Sequence, residues 1–376
     1  MSAGDRDGGV LLTGATGFVG MEVLARYLER SDRQITCLVR ADGKAAADGR
    51  LQGVLHNLFG RGAERFGGRV RAVPGELTAP GLGLPAPLRD ALASEVTTIV
   101  HSAASVSFSM DLPEARKTNL EGTQRMLEFA QLARSRGGLQ RYAQVSTAYV
   151  AGTHDGSFSE CDLDVGQEFR NSYEQSKFEA EQLVRAHGGD LPWMILRPSI
   201  VVGDRRSGWT AAFNVLYWPL RAFSTGMFKA VPANPASPLD VVSIDYVADA
   251  IHELCECPGI ARETFHLTAS AKASTMGELA SLASTYFRLP LPQVVPPSEF
   301  AALEGAMSAA ALESSRVYFP YFAIGTVFDN ATTRARLAPA GIQASPLHDY
   351  LERLLDFATR SRWGKRPIGR AEALAQ

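Results

Sequence analysis

The sequence lacks several features that would point to particular classes of protein. It has only four cysteines and no CxxC pair, and its first residues lack the basic and apolar pattern of a signal peptide. We therefore expect a reduced, cytoplasmic setting. No stretch approaches the roughly 18 consecutive apolar residues that a membrane-spanning helix needs, so we expect a soluble chain without a membrane span.

An excess of charge of either sign is also missing. The 38 Lys and Arg residues nearly balance the 40 Asp and Glu residues, and the formal charge of −2 argues against a nucleic-acid partner. Hydrophobic residues make up 45% of the 376 positions, which is typical of a globular protein and sufficient for a large core without disulfides. Cys255 and Cys257 stand close together without a convincing histidine partner, so no metal is expected.

Short apolar runs alternate with segments of helical length over the first 200 residues, including a predicted helix over 113–133. Six runs have the composition of strands: 10–13, 35–39, 70–73, 97–101, 142–146 and 193–197. Because parallel strands need crossover connections, this alternation predicts an α/β fold with a doubly wound parallel sheet, the Rossmann arrangement. Beyond about Gly203 the pattern becomes irregular, which indicates a smaller, mostly helical C-terminal lobe.

Three glycines at a spacing of three follow the first predicted strand, in the segment TGATGFVG over 13–20. Gly14 allows a sharp turn, Gly17 lets the backbone approach a pyrophosphate, and Gly20 lets the next helix pack on the strand. The free N–H groups at the start of that helix can bind the anion. Because the required strand and helix flank the glycines, the segment predicts a dinucleotide-binding site rather than a merely structural turn.

The end of the second predicted strand carries a cation. A site selective for an unphosphorylated ribose usually presents Asp or Glu there, whereas this sequence has Arg40, followed by Lys44. Cations at this position suit a 2′-phosphate, so the sequence favours NADPH over NADH. The alternative is a solvated arginine at a strand end.

A tyrosine and a lysine stand four residues apart in a helix-compatible segment, at Tyr173 and Lys177. Their side chains are expected to share one helix face and to act on one ligand together. A nearby ammonium favours the phenolate, so this spacing predicts that Lys177 lowers the pKa of Tyr173.

Hydroxyl groups follow the fifth predicted strand. Thr147 or Ser146 would lie at the carboxyl end of a parallel strand, where such sheets bind ligands, and could bond a substrate oxygen. Asn119 could order a water molecule beside Lys177, or it could be a buried amide satisfied by its surroundings.

Taken in order, the segments TGATGFVG, VSTAYV, YEQSK and LRPSIVVGD resemble an extended short-chain dehydrogenase/reductase over roughly residues 9–270. The segments 75–77, 82–84 and 100–108 are similar to its thioester reductase and fatty acyl-CoA reductase branch. That branch includes the terminal reductase domains of carboxylic acid reductases and nonribosomal peptide synthetases.

The resemblance implies a role for each matching residue. Thr147, Tyr173 and Lys177 would form the catalytic set, with Lys177 also holding the nicotinamide ribose. The residues expected to contact the cofactor are Gly14, Thr16, Gly17, Phe18, Val19, Gly20, Arg40, Lys44, Glu76, Leu77, Ala103, Ala104, Tyr173, Lys177, Pro198 and Ile200. Family members usually have Asp in place of Glu76.

The resemblance also implies a reaction and its partners. Hydride from NADPH would reduce an acyl thioester, and the resulting thiohemiacetal would give an aldehyde and a thiol, with a second reduction to the alcohol left open. The substrate would be an acyl-CoA or a phosphopantetheine-bound acyl group on a carrier protein. The chain offers no room for an adenylation or carrier domain, so we expect the acyl group to arrive in trans. Acyl chain, pathway and oligomeric state are left open.

Residues 1–202, with parts of 240–270, are assigned to an NADP-binding Rossmann domain, and 203–239 with 271–376 to a substrate-binding lobe. Aromatic residues in this lobe could form an apolar acyl pocket, although most such stripes are core: Trp209, Phe213, Tyr217, Trp218, Phe223, Met227 and Phe228. The basic segment 360–376 is expected to be a solvated or frayed tail, and the alternative is a contact with an anionic group on a substrate or carrier.

Two other functions are compatible with this fold. An extended short-chain dehydrogenase could act on a ketone, a hydroxysteroid-like alcohol or a nucleotide sugar. A non-catalytic NADP-sensing protein is a second alternative. The aromatic second lobe argues against a sugar nucleotide, and the intact Tyr173 and Lys177 pair argues against a sensor.

Overall fold

The computed structural model describes residues 8–187, 189–213, 215–226, 230–296 and 318–375. The strands, in chain order, are β1 Gly9–Thr13, β2 Ile35–Val39, β3 Val70–Pro74, β4 Val96–His101, β5 Arg141–Val145, β6 Gly156–Phe158, β7 Trp193–Pro198, β8 Ile200–Val202, β9 Ala230–Pro232, β10 Pro238–Leu239, β11 Val241–Ser243, β12 Glu263–Leu267, β13 Ser274–Thr275, β14 Gln293–Val295 and β15 Thr326–Phe328.

The α-helices alternate with the longer strands in the first half of the chain, and helices and short strands are mixed in the second half. They are α1 Phe18–Arg30, α2 Lys44–Phe59, α3 Ala86–Glu95, α4 Leu112–Arg116, α5 Gly122–Gly137, α6 Ser172–His187, α7 Tyr217–Ser224, α8 Ile244–Glu256, α9 Met276–Phe287, α10 Ala331–Leu337, α11 Leu351–Arg360 and α12 Arg370–Leu374.

Seven strands form one parallel sheet in the order β12-β7-β5-β4-β1-β2-β3. The predicted doubly wound α/β fold is confirmed, and β12 adds a seventh strand to the six that the sequence predicted. The strand order reverses between β1 and β4, and in doubly wound sheets ligands bind in the crevice that opens at this point.

Helices cover both faces of the sheet, and each face has its own apolar core. Apolar residues of α1, α2 and α8 pack on one face, and those of α3, α5 and α6 pack on the other. The nearly continuous apolar sequences of the central strands follow from this arrangement, because a parallel sheet is buried on both sides.

A third core belongs to the C-terminal lobe. It joins residues of α7, α9 and α11 to the 3₁₀ turn Ala148–Ala151, which follows β5 directly. The pairs β9 with β14 and β6 with β15 extend this region beyond the main sheet. The lobe therefore packs against the carboxyl end of the sheet, above the crevice.

Two segments differ from their predicted form. The expected helix over 113–133 contains a π-helical turn at Lys117–Glu121, between α4 and α5. The C-terminal segment, expected to fray, packs against the first helices in its described part, because Arg370 pairs with Glu22 and Glu29 of α1. None of the helices formed by the described residues has the length and hydropathy to cross a membrane.

Candidate active site

A cavity of about 790 Å³ occupies the crevice between β1 and β4 and extends beneath the C-terminal lobe. The segments that follow β1, β2, β4, β5 and β7 all contribute to its walls. Its lining includes the predicted residues Gly14, Thr16, Gly17, Phe18, Val19, Gly20, Arg40, Glu76, Leu77, Ala103, Ala104, Thr147, Tyr173, Lys177, Pro198 and Ile200. The fold thus brings almost all of the predicted site residues to one cavity.

The glycine turn is as tight as its sequence suggests. Gly14 has a φ of +76°, and a Cβ atom on it would lie 2.7 Å from the backbone nitrogen of Ala103. A Cβ atom on Gly20 would lie 2.1 Å from the Gly14 carbonyl oxygen, so this glycine lets the helix approach the turn itself. Neither position can hold a larger residue without moving the backbone.

The N-terminus of α1 is open to an anion. Its N-cap residue, Gly17, offers no capping side chain, and the first turn has no acidic residue. The free N–H groups and the helix dipole can therefore bind an anion in the cavity, and no carboxylate of the first turn competes for them. A diphosphate fits this chemistry.

Arg40 lies on the cavity wall at the end of β2, but Lys44 does not line the cavity. The Lys44 ammonium is exposed and pairs with Asp48 one helical turn later, with 2.6 Å between Nζ and Oδ2. A cation that the sequence reasoning missed takes its place. Arg50 of α2 lines the cavity, bonds the Arg40 carbonyl and donates from Nη2 to Thr16 Oγ1 at 3.3 Å.

The ends of β1 and β4 are tied together next to residues that line the cavity. The Thr13 hydroxyl lies 2.7 Å from His101 Nδ1 and accepts a bond from the Ala103 N–H at 3.2 Å. Burial lowers the pKa of His101 to about 3, so this histidine is neutral. It fixes the path of the chain beneath the cavity, and an acid or base role is not indicated.

Lys177 is a residue of α6, and its side chain reaches the carboxyl end of β5, where it lines the cavity. Its side chain is buried and donates from Nζ to the Val145 carbonyl at 2.7 Å. Burial lowers the pKa of this lysine to about 8, although Glu181 opposes the shift. The ammonium is therefore still the dominant form at neutral pH.

Tyr173 lies one turn before Lys177 on α6, where the amide of Asn171 begins the helix by accepting the Glu174 N–H at 3.0 Å. Burial of the phenol raises its pKa to about 12, against the opposing hydrogen bond from Thr147, and the charge of Glu174 adds to the rise. The sequence predicts that Lys177 lowers the pKa of Tyr173. This prediction of direction is wrong, because burial raises that pKa in the structure. The phenol keeps its proton at neutral pH.

The two hydroxyls that follow β5 have different surroundings. Thr147 donates from Oγ1 to the Pro198 carbonyl at 3.4 Å and accepts the Tyr149 N–H at 3.3 Å. Ser146 is also buried and lines the cavity, but its hydroxyl has no partner among the described residues. The Thr147 hydroxyl also acts on the pKa of Tyr173, whereas the Ser146 hydroxyl does not.

Asn119 lies in the π-helical turn and holds three pieces of chain together. Its amide accepts the Ser105 N–H at 2.8 Å and donates to the Ser105 carbonyl at 3.1 Å and to Ser176 Oγ at 2.9 Å. The loop after β4 is thereby fixed to α6. Of the two interpretations of Asn119, the structure therefore shows the buried amide whose hydrogen bonds are made by its surroundings.

The aromatic wall of the cavity comes from residues that the sequence reasoning did not select. Phe108 stacks on Tyr321 with centroids 5.3 Å apart and also contacts Tyr173 at 5.9 Å. Tyr149 and Tyr318 complete this wall. Aromatic residues are common in cores and loops alike, and only the fold shows that these four meet beside Tyr173.

The sequence offered a set of aromatic residues that could form an acyl pocket or belong to the core, and those that the structure describes lie outside this cavity. Trp209 is buried and donates from Nε1 to the Ile368 carbonyl at 3.1 Å. Those in the described part of the chain do not line this cavity: Trp209, Phe213, Tyr217, Trp218 and Phe223. Met227 and Phe228 lie outside the described residues.

Comparison with known proteins gives a consistent result. An NAD-binding family model described as "Male sterility protein" matches residues 12–251. A linear gramicidin synthase of Brevibacillus parabrevis has a subunit that is 32% identical over 263 residues, which are 68% of this chain and 5% of that protein. Fatty acyl-CoA reductase wat of Drosophila melanogaster is 26% identical over 280 residues, 65% of this chain and 53% of that protein.

A solved structure matches nearly the whole chain. The terminal R domain from the myxalamid PKS-NRPS biosynthetic pathway superposes with a TM-score of 0.82 at 25% identity and covers 96% of this chain and 93% of that chain. The chain thus spans a small part of the gramicidin synthase protein and about half of the fatty acyl-CoA reductase, but almost all of that R domain.

Proposed function

This chain belongs to the male sterility protein family, and we propose that it is a reductase that uses NADPH to convert an acyl thioester into an aldehyde. One observation carries the proposal. Tyr173, Thr147 and Lys177 line the same cavity as the glycine turn that precedes α1. The names of a fatty acyl-CoA reductase and a synthase R domain among the similar proteins support the thioester as substrate.

The cavity has the features that a nicotinamide dinucleotide requires. The uncapped N-terminus of α1 would bind the diphosphate, and Ala103 and Ala104 leave room along the cavity floor. Arg40 and Arg50 would hold a 2′-phosphate at the end of β2, which favours NADPH over NADH. When bound, NADPH would supply the hydride.

Lys177 would hold the nicotinamide ribose. Its ammonium, fixed by the Val145 carbonyl, has two remaining donors for ribose hydroxyls. Its positive charge would also stabilise the negative charge that develops nearby during reduction. Both roles need the protonated form of Lys177, which dominates at pH values below its pKa of about 8.

Tyr173 and Thr147 would bind the carbonyl oxygen of the substrate. Negative charge develops on this oxygen as the carbonyl carbon is reduced, and two fixed hydroxyl donors stabilise it. In known oxyanion sites each such donor lowers the activation free energy by about 3–4 kcal/mol. Tyr173, which keeps its proton at neutral pH, would then donate it to the oxygen.

The acyl group is proposed to arrive as a thioester of CoA or of a carrier protein's phosphopantetheine. Loss of the thiol from the tetrahedral adduct gives the aldehyde, and the same site could reduce the aldehyde once more to the alcohol. Phe108, Tyr318 and Tyr321 would shield this chemistry from water, because their rings form the wall next to Tyr173.

The proposal is tested by following the oxidation of NADPH and of NADH with a panel of substrates. The panel contains a long-chain acyl-CoA, the matching acyl-carrier protein, a free aldehyde, a ketone and a UDP-sugar. We expect turnover of at least one thioester, formation of the aldehyde or alcohol, and a higher kcat/KM with NADPH.

Turnover of the ketone or the sugar nucleotide without any turnover of thioesters would contradict the proposal. NADPH binding without turnover of any member of the panel would favour a sensing protein instead. A higher kcat/KM with NADH would contradict only the assigned cofactor preference.

A further inference from the structure

Ser146 has a buried hydroxyl that the proposed mechanism does not use. The side chain is 4% exposed and lies on the wall of the main cavity. Several buried side chains in the described ranges have a polar atom without a hydrogen-bond partner, but among them only Ser146 lines this cavity. The residue with the unpaired hydroxyl is therefore part of the wall that a bound ligand would contact.

The neighbours of Ser146 are already committed to other partners. Its own N–H donates to the Leu196 carbonyl at 2.7 Å, as expected for a residue that extends β5 beside β7. Lys177 donates to the Val145 carbonyl at 2.7 Å, and Thr147 bonds the Pro198 carbonyl and the Tyr149 N–H. The protein around the Ser146 hydroxyl thus leaves it unsatisfied.

Buried polar groups in native proteins are almost always hydrogen-bonded, so an unpaired one inside a binding cavity indicates a partner on the ligand. We infer that Ser146 is a further binding residue, whose hydroxyl bonds a carbonyl group held in the cavity. This inference rests on the proposed function. Two ligands would bring such a group: the nicotinamide carboxamide of the cofactor and the thioester or amide carbonyl of the substrate.

The substitution Ser146→Ala removes the hydroxyl and little else, and Ser274→Ala is its matched control. Ser274 is likewise buried and its hydroxyl likewise lacks a partner, but it does not line the cavity. Three quantities are measured for each variant: the Kd of NADPH by fluorescence titration without substrate, the kcat/KM for the acyl-CoA at saturating NADPH, and the melting temperature without ligand.

We expect Ser146→Ala to melt no lower than the wild type, because no bond is lost in the free protein. We also expect a roughly 3- to 10-fold loss in one of the two ligand measurements, the usual effect of one hydrogen bond. A higher Kd for NADPH assigns the partner to the carboxamide. An unchanged Kd with a lower kcat/KM assigns it to the acyl substrate. Ser274→Ala should change neither constant.

The inference is overturned if both constants of Ser146→Ala match those of Ser274→Ala. It is also overturned if Ser146→Ala melts several degrees below the control, because the hydroxyl would then have a partner within the protein. A wild-type chain that binds NADPH but reduces no thioester refutes the proposed function, and the NADPH titration alone then decides the role of Ser146.

Discussion

At the scale of single residues, burial determines the chemistry of Tyr173 and Lys177 as much as their spacing does. Four residues of helix place both side chains on the cavity wall, as the sequence predicts. Burial then raises the pKa of Tyr173 to about 12 and lowers that of Lys177 to about 8. The phenol therefore keeps its proton at neutral pH, and the lysine is the group whose charge changes first as pH rises.

This ordering predicts an alkaline limit on activity. As pH rises through about 8, Lys177 loses its proton, whereas Tyr173 keeps its proton up to about 12. We expect kcat/KM for NADPH, which reports on the free enzyme, to fall above pH 8 by roughly tenfold for each pH unit. A Lys177→Arg variant, whatever its absolute activity, should lack this fall. A wild-type profile that stays level to pH 10 would contradict the role of the ammonium.

Arg50 and Lys44 offer a matched comparison on one helix. Arg50 lines the cavity beside Thr16, whereas Lys44 is exposed and paired with Asp48. Arg50→Ala should raise the Kd of NADPH about 10-fold or more, as expected for a lost charge-assisted bond, and change that of NADH by less than about 2-fold. Lys44→Ala should alter neither. An equal increase in Kd for NADPH and NADH would mean that Arg50 does not bind the 2′-phosphate.

At the scale of elements, the turn between β1 and α1 shows why small residues are needed there. Gly14→Ala would add a Cβ atom 2.7 Å from the Ala103 nitrogen, at a φ of +76°. We expect this variant to lose about 2–4 kcal/mol of unfolding free energy and to bind NADPH poorly. Urea denaturation and NADPH titration measure both effects.

Gly53→Ala is the control for that prediction. Gly53 is an exposed residue of α2, and no heavy atom would lie within 4 Å of an added Cβ atom. Alanine there should increase the unfolding free energy by about 0.5–1 kcal/mol and leave NADPH binding unchanged. If the two alanine variants had similar stabilities, the close approach at Gly14 would not constrain the turn.

Local patterns predicted the elements that build the crevice, because their signals are short-range. The apolar run before Gly14 and the helical spacing after it are enough to place β1 and α1. The π-helical turn around Asn119 leaves no such signal, since its sequence is compatible with an ordinary helix. Arg50 was missed for a related reason: its distance from Arg40 depends on the angle at which α2 packs.

At the scale of the whole molecule, the two ends of the chain depend on each other. Arg370 of α12 pairs with the buried Glu22 of α1 at 2.7 Å and with Glu29 at 2.9 Å, about 340 positions apart in sequence. The sequence of the basic tail by itself predicts fraying, because it does not show that acidic partners at the other end of the sequence pack against the tail. Long-range pairing of this kind is invisible to local patterns.

Arg370→Ala should therefore destabilise the fold. Arg26 stays beside Glu22, so that carboxylate keeps one cation after the change. We expect a loss of about 1–3 kcal/mol in the unfolding free energy, the usual contribution of hydrogen bonds to charged groups. Denaturation of Arg366→Ala, an exposed position on the same segment, provides the comparison. A tail that contributes nothing would give two variants of equal stability.

The central claim is that Tyr173 assists the transfer of hydride from NADPH to an acyl carbonyl inside this cavity. The most direct measurement is mass spectrometry of the product formed from an acyl-CoA and NADPH deuterated at both C4 positions. We expect one deuterium in each aldehyde, or two in each alcohol, and a rate lower by about 100-fold or more in a Tyr173→Phe variant that still binds NADPH. Unlabelled product, or full activity in that variant, would contradict it.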